Sequence, residues 1–297
     1  MIITFNNKII APDGKWLERP IPANTIRLRY KVGITPVFNR GTGICIDSNM
    51  NVWDLTCNDP DWNYLLIRGV SSVQHLSQTY LEEVLGANTS NVTNMSNLFF
   101  AADNLKKVKK FDTSNVTNID SMFTGCSSLK EIPFFDFSNV TAMPMAFKQT
   151  AITTIPQFDT SKVTDMNCTF QYCWNLRTIP LLNTSNVVWM QDTFDQSGIE
   201  SLPALDTSKV TNMGGIMYRC MNLKQIPLLD TSSVQDARGM FYQCLNVESG
   251  ALAMYNQMAN QTNPPTYHSN TFFNCGTRTT TGAAELAQIP SDWKQRE

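Results

Sequence analysis

The sequence has 297 residues, of which 42% are hydrophobic and only 16% are charged, and its formal net charge is −2. A chain of this size can bury an ample core, and its near-neutral charge excludes a general electrostatic attraction for nucleic acid or anionic membranes. No segment approaches the roughly 20 consecutive apolar residues that cross a bilayer, so we expect neither nucleic-acid binding nor membrane insertion.

The first 80 residues are predicted to form a small β-rich leader. Residues 2–10 have the pattern of a hairpin, residues 25–32 alternate as a strand, and residues 41–53 resemble a second strand pair. A helical pattern follows at residues 58–66. No basic segment followed by an apolar run opens the sequence, so it shows no ordinary secretory signal. The leader is interpreted equally as a cap on the repeats that follow and as an attachment domain for a larger assembly.

From residue 81 to about residue 248 the sequence repeats a single motif. The motif Thr-Ser-Asn-Val-Thr-Asn-Met first appears at Thr89 and recurs every 23 or 24 residues. A period of this length is typical of stacked structural units, which bury their apolar faces only against their neighbours. The sequence therefore predicts a solenoid in which each copy forms one rung. The later copies start at Thr113, Phe137, Thr160, Thr184, Thr207 and Thr231.

Each rung is predicted to consist of a short helix and a short parallel strand. In one copy Val163, Met166 and Phe170 are spaced as on one helical face, and the serine after the first threonine is placed to cap the first turn. The segment from Leu176 to Leu182 is apolar at its first, fourth and seventh places. Because Pro180 cannot continue a helix, we expect this segment to be extended and to pair with its neighbours.

Residues 249–297 are predicted to close the C-terminal end of the solenoid. Residues 249–261 have the spacing of an amphipathic helix, and residues 282–288 form a second short helix that Pro290 ends. The predicted fold is therefore an α/β repeat solenoid with a β-rich N-terminal cap and a helical C-terminal cap. We divide the chain into a leader (1–80), a solenoid (81–248) and a C-terminal cap (249–297).

The repeated motif resembles a known family. Its full form, Asp-Thr-Ser-Asn-Val-Thr-Asn-Met-x-x-Met-Phe-x-x-Cys-x-x-Leu-x-x-Ile-Pro, is similar to the BspA-like leucine-rich repeats of surface proteins from gut and oral anaerobes and of proteins from their phages. The resemblance covers about residues 81–250, and the flanks at residues 21–53 and 282–293 look like those of phage-associated members. It implies a leucine-rich-repeat solenoid that recognises partners outside the cell or on a virion surface, with no catalytic residue to carry over.

The sequence presents no evident catalytic or metal-binding pattern. Its only histidines, His75 and His268, lack the partners of a nucleophilic triad, and none of its eight cysteines forms a Cys-x-x-Cys pair. We therefore predict no catalytic residue, no cofactor and no metal site.

Two columns of repeated polar residues have structural interpretations. An aspartate precedes most copies of the motif, which favours an Asx-type turn at each corner over a ladder of bound cations. A cysteine follows an aromatic residue or Met by three places in five copies, which favours packed thiols over disulfides. These cysteines are Cys126, Cys173, Cys220, Cys244 and Cys275.

The variable positions of the strand segments, which we call the strand face, are the predicted binding site. Two adjacent places change from rung to rung, and the sixth place carries Phe134, Leu181 and Leu228 on alternate rungs. If the sixth place faces outward, these three form an exposed apolar track that suits a protein or glycan contact, but the pattern also allows it to pack inward. The predicted residues are Lys106, Lys107, Lys130, Glu131, Phe134, Thr153, Thr154, Gln157, Arg177, Thr178, Leu181, Glu200, Ser201, Lys224, Gln225 and Leu228.

We predict a non-enzymatic recognition or structural protein that binds a surface protein or glycan through the strand face. The resemblance, together with the absence of a recognisable secretory signal or membrane span, favours a phage virion surface. The protein would be a fibre or decoration component that assembles in the host cytoplasm and is held to its assembly partners by residues 1–80. One alternative is a bacterial cell-surface adhesin with the same binding mode. Another is a carbohydrate-active enzyme, which requires a cleft with paired carboxylates. The ligand and the oligomeric state, homo-oligomers included, are left open.

Overall fold

The structure is a computed structural model that describes residues 81–90 and 92–295, apart from the side chains of residues 85–88, and the backbone of six strands between residues 3 and 56. Within these residues, no helix has the length and apolar character of a membrane span. The strands are β1 (Ile3–Phe5), β2 (Lys8–Ile10), β3 (Trp16–Leu17), β4 (Thr25–Tyr30), β5 (Thr42–Asp47), β6 (Val52–Thr56), β7 (Leu81–Asn88) and β8 (Lys107–Val108). The helices are α1 (Ala251–Asn260), α2 (Thr280–Gln288) and a 3₁₀ helix (Ser291–Trp293).

The described strands of the leader agree with the sequence prediction. β1, β2 and β3 form an antiparallel sheet whose first two strands confirm the predicted hairpin. β4, β5 and β6 confirm the strands predicted at residues 25–32 and 41–53, although the last of them continues to Thr56. The helix predicted at residues 58–66 lies outside the described residues.

One sheet joins the leader to the repeats. β7 pairs antiparallel with β4 on one side and in parallel with β8 on the other, so the strand order is β5-β6-β4-β7-β8. The parallel contact is held by the Lys106 amide, which donates to the Glu82 carbonyl at 2.8 Å, and by the Lys109 amide, which donates to the Val84 carbonyl at 2.9 Å. On the other side, the pairing with β4 means that the edge of β7 that faces the leader is paired rather than open.

The first half of each rung is a chain of turns, and the predicted short helix is wrong. In the rung that contains Val163, the amides of Met166, Cys168 and Phe170 donate to carbonyls of the next rung at 2.8–2.9 Å. The amides between them donate three residues back within the rung, as Thr169 does to the Met166 carbonyl at 3.2 Å. About half of the donors that a helix would keep within one segment therefore bond to the neighbouring rung.

Two residues with left-handed backbone conformation occur in each turn segment, alongside this alternation of donors. Each described turn segment has two residues with positive φ, four places apart, such as Cys168 (55°) and Tyr172 (60°). This conformation costs a non-glycine residue roughly 1–2 kcal/mol, so the hydrogen bonds between rungs must offset it. The spacing of Val163, Met166 and Phe170 fits this chain of turns as well as a helix, because both bury the three side chains together.

The predicted strand segments form little regular β-structure, and a parallel ladder runs instead through the residues just before the turns. The strand segments, such as Leu176–Leu182, form regular β-structure among the described residues only in β7, in β8 and in a bridge between Gln225 and Ser249. The proline at the fifth place, such as Pro180, removes one ladder donor from most of them. The predicted parallel strands are thus confirmed only in part. The ladder consists of single parallel bridges that connect Asn94, Asn118, Ala142, Asp165, Trp189, Asn212, Asp236 and Tyr267 in that order.

The inward-facing columns form one continuous core. The phenylalanine column stacks from Phe99 to Phe194 through five successive rungs, with ring centroids 5.4–5.8 Å apart. Met217 interrupts this ladder, and Phe241 and Phe272 resume it at 5.7 Å. The buried threonines that begin the motif donate to carbonyls of the next rung. Each rung therefore depends on its neighbours both for its apolar contacts and for its hydrogen bonds.

The C-terminal region contains both predicted helices and one more rung. α1 confirms the helix predicted at residues 249–261, and α2 confirms the one predicted at residues 282–288, beginning two residues earlier. Between these two helices, residues 267–276 form a further rung of the solenoid, to which the preceding rung donates hydrogen bonds. The Phe272 amide of this rung donates to the Trp293 carbonyl at 3.0 Å, so this amide is paired with the segment that follows α2.

Candidate functional site

All sixteen predicted strand-face residues are exposed. At the sixth place Phe134, Leu181 and Leu228 expose 50%, 57% and 70% of their surfaces, and Gln157 on the intervening rung is exposed as well. The sixth place therefore faces outward, which decides between the two orientations that the sequence left open. The structure brings these residues onto one face, and their binding role stays a prediction.

The strand face combines separated apolar groups with exposed ion pairs. Phe134, Leu181 and Leu228 lie two rungs apart, which corresponds to about 10 Å at ~4.8 Å per rung. Charged side chains pair across neighbouring rungs, as in Arg177–Glu200 at 3.6 Å. Exposed pairs of this kind contribute little to stability, so the fold does not dictate the residues at these places.

The aspartate column forms Asx turns, which confirms the structural interpretation. Asp112 accepts hydrogen bonds from the hydroxyl of Ser114 at 2.7 Å and from its amide at 2.9 Å, and Asp206 accepts the same pair from Ser208. These bonds hold the pKa of both carboxyl groups below the usual range. The serine hydroxyls donate to the aspartates and do not cap a helix, so the predicted role of these serines is wrong.

The cysteine column is buried, and the six described cysteines are free thiols, as predicted. The thiols of Cys126, Cys173 and Cys220 donate to carbonyls of the preceding rung at 3.0–3.2 Å. Burial raises the pKa of Cys173 to about 11 and that of Cys220 to about 12. The thiols therefore link neighbouring rungs and are poor nucleophiles at neutral pH.

A groove, which we call the turn-side groove, opens over the last rungs of the solenoid, and its volume is about 440 Å³. It is lined by residues from four successive turn segments, which begin at Gln191 and end at Asn270. None of the sixteen predicted residues lines it. The structure therefore offers a second candidate surface, on a different part of each rung from the strand face.

Glycines form part of the lining of this groove. Gly215 and Gly239 occupy the same place in successive rungs, with φ of 64° and 61°. The neighbouring rungs have Asp192 (φ 53°) and Asn270 (φ 57°) at that place, so the left-handed backbone does not by itself require glycine. A Cβ on Gly215 would lie 2.0 Å from Oδ1 of Asp192, which already fills that space. Glycine is needed at position 215 because its missing side chain leaves space for the Asp192 carboxylate, and not because the turn requires it.

The stacked rings of Tyr218 and Tyr242 line the groove, and Phe273 extends the stack outside it. Tyr218, Tyr242 and Phe273 occupy the same place in successive rungs, with ring centroids 4.4 Å apart in the first pair and 4.9 Å apart in the second. The guanidinium group of Arg219 lies over both tyrosine rings, 5.3 Å and 5.8 Å from their centroids. Because the stack covers the ring faces, Tyr242 meets the groove with its edge.

Amide, carboxylate and guanidinium groups complete the lining. The guanidinium group of Arg238 donates to both carboxylate oxygens of Asp236, at 2.6 Å and 3.0 Å, and it lies 5.1 Å from the ring centroid of Tyr267. Asn212 donates to Oε1 of Gln191 at 3.3 Å. These contacts hold the polar side chains in place before any ligand arrives.

Two aspartates are partly desolvated: Asp192, which lines the groove, and Asp195, which lies outside its lining. Burial raises the pKa of Asp192 and of Asp195, and the charge of Asp195 adds to the rise for Asp192. Oδ2 of Asp195 accepts from Gln171 at 2.7 Å, whereas Oδ1 of Asp195 has no hydrogen-bond partner in the described part of the chain. The ionised form of Asp195 is therefore unfavourable in the fold.

Three comparisons relate the chain to known proteins. A family model described as "Mycoplasma protein of unknown function, DUF285" matches residues 50–154 and 141–255. A leucine-rich repeat protein from Bacteroides ovatus is similar, with 15% identity, a TM-score of 0.26 and coverage of 57% of this chain and 60% of that one. A leucine rich cell surface protein from Faecalibacterium prausnitzii is similar with 18% identity, a TM-score of 0.23 and coverage of 68% and 80%. The comparison with curated proteins finds no match.

Proposed function

The chain belongs to the DUF285 family, and we propose that this member is a non-enzymatic recognition protein that binds a surface protein or glycan through its strand face. The observation that carries the proposal is the outward orientation of the variable positions on a fixed frame. Phe134, Leu181 and Leu228 each expose half or more of their surface, and exposed apolar groups at regular spacing favour a partner. In a solenoid such positions can vary without disturbing the stacking of rungs.

We propose the bacterial cell surface as the location, on the strength of the resemblance of the motif to BspA-like surface proteins. The virion surface stays a prediction, as do assembly partners held by residues 1–80. The continuous sheet from β4 through β7 to β8 supports the interpretation of the leader as a cover for the first rung. The contact between the last rung and Trp293 supports a similar cover at the C-terminal end.

The triple variant Phe134→Ser, Leu181→Ser, Leu228→Ser tests the binding face. Because these side chains are exposed, we expect the variant to keep its melting temperature while its binding to purified cell-surface fractions falls roughly tenfold or more. The control is Trp189→Ser, which replaces an exposed ring outside the strand face and should bind as the wild type does. Undiminished binding by the triple variant would overturn the assignment of the strand face.

A further inference from the structure

We infer that the turn-side groove is a second binding site, which takes a neutral, hydroxyl-rich segment of a glycan. This inference rests on the proposed recognition function and names a ligand class and a site for it. The volume of about 440 Å³ lies within the ~300–1,000 Å³ of small-ligand sites, and the lining combines a few fixed polar groups with aromatic rings.

The charges of the groove favour a neutral ligand. Asp236 is already paired with Arg238 at 2.6 Å, and Asp192 adds a second carboxylate. Two carboxylates against one guanidinium group disfavour phosphate, sulfate and sialic acid. Within the described residues, no group of three or more His, Cys, Asp and Glu side chains is arranged to hold a metal ion.

The hydrogen-bonding groups of the groove match hydroxyl groups, which both donate and accept. The carboxylates of Asp192 and Asp236 accept hydrogen bonds, and the amides of Gln191 and Asn212 offer both functions. The tyrosine rings add apolar edges, which offer van der Waals contact to a sugar but no ring face on which its C–H groups can stack. A mainly apolar ligand would leave these polar groups desolvated and unpaired, which is unfavourable.

The side chains of the groove are fixed in advance for binding. Arg238 is held between Asp236 and the ring of Tyr267, and Asn212 donates to Oε1 of Gln191 at 3.3 Å. Fixed side chains lose little further entropy when a ligand binds. Oδ1 of Asp236 accepts from both the amide and Nε of Arg238, whereas Oδ2 accepts from one Arg238 nitrogen and keeps a lone pair for a ligand hydroxyl.

Gly239→Asn fills the groove without disturbing the backbone. The next rung already has Asn270 at this left-handed place, and a Cβ on Gly239 would lie at ordinary contact distance, 3.4 Å from Cδ2 of Tyr218. We expect the variant to melt as the wild type does and to lose roughly tenfold or more of its affinity for a glycan. Tyr242→Phe keeps the ring stack and removes one hydroxyl, so a loss of about three- to tenfold is expected.

The experiment uses the full chain on a microarray of neutral and sialylated oligosaccharides, followed by calorimetry with the strongest neutral hit. The inference is supported if Gly239→Asn loses neutral glycan binding that the strand-face triple variant retains. It is overturned if the array shows no binding, if only sialylated glycans bind, or if binding follows the triple variant. In these cases the proposed function still holds if the wild type binds surface fractions and the triple variant does not. Absence of binding to both arrays and surface fractions would overturn both.

Discussion

Replacing Phe170 by Met should interrupt the aromatic ladder at the centre of the solenoid. The ring of Phe170 stacks on Phe147 at 5.7 Å and on Phe194 at 5.5 Å, with interplanar angles of 7° and 10°. An aromatic pair contributes about 0.5–1.5 kcal/mol beyond the area it buries, so the loss of two pairs costs about 1–3 kcal/mol. Met is an adaptable apolar side chain, and Met217 already occupies the same column, so the fold itself should survive.

The measurement is chemical denaturation of Phe170→Met beside the control Met217→Leu. The control changes a side chain in the same column that has no ring to stack, so Phe170→Met should exceed it in lost free energy of unfolding by about 1–3 kcal/mol. In thermal melts this difference corresponds to about 2–12 °C for a solenoid of this size. Equal losses in the two variants would refute the claim that stacking between rungs holds the solenoid together.

The thiols of Cys126, Cys173 and Cys220 should react with iodoacetamide at pH 8 only after unfolding, because burial raises their pKa and blocks access to the reagent. Peptide mass spectrometry measures the extent of labelling at each cysteine. Asp195→Asn should raise the melting temperature at pH 7 and change it little below the ordinary pKa of 3.8, as calorimetry at both pH values can show. The sign follows because a raised pKa means that the fold favours the neutral carboxyl, so stability is lost as the pH rises through that pKa. Far-UV circular dichroism should show a low helix content, because α1 and α2 are the α-helices of the described residues.

Each of these outcomes has a clear contrary. Rapid labelling of the native protein at Cys173 would contradict the burial of the thiol column. An Asp195→Asn variant that melts lower at pH 7 would mean that the hydrogen bond from Gln171 outweighs the cost of burying the charge. A circular dichroism spectrum with enough helix for one short helix in every rung would contradict the chain of turns and support the helix that the sequence pattern predicted.

The burial of side chains could be predicted because the repeat keeps them in register. Val163, Met166 and Phe170 and their counterparts are buried in rung after rung, as the pattern predicts. The pattern left open the orientation of the sixth place of the strand segment, where Leu181 is exposed. Register alone does not define a local conformation. Cys168 has no intrinsic preference for positive φ and adopts it because its amide bonds to the next rung, which is a contact that no local pattern encodes.

The variable strand positions do not point to the turn-side groove, because none of them lines it. A signal was present in the sequence, since Gly215 and Gly239 depart from the larger residues at the same place in other copies. Tyr218 and Tyr242 likewise stand together in one column. Comparing copies column by column identifies both departures. Their meaning, an open space beside a ring stack, still required the distances between rungs.

The most direct test of surface recognition is lysine acetylation of the full chain with and without a purified cell-surface fraction that the wild type binds, measured by peptide mass spectrometry. Lys106, Lys130 and Lys224 lie on the strand face, whereas Lys162 and Lys209 are exposed outside it and serve as internal controls. We expect the bound protein to lose labelling at the first three and to keep it at the other two. Equal labelling at all five lysines, or protection confined to Lys162 and Lys209, would contradict recognition through the strand face.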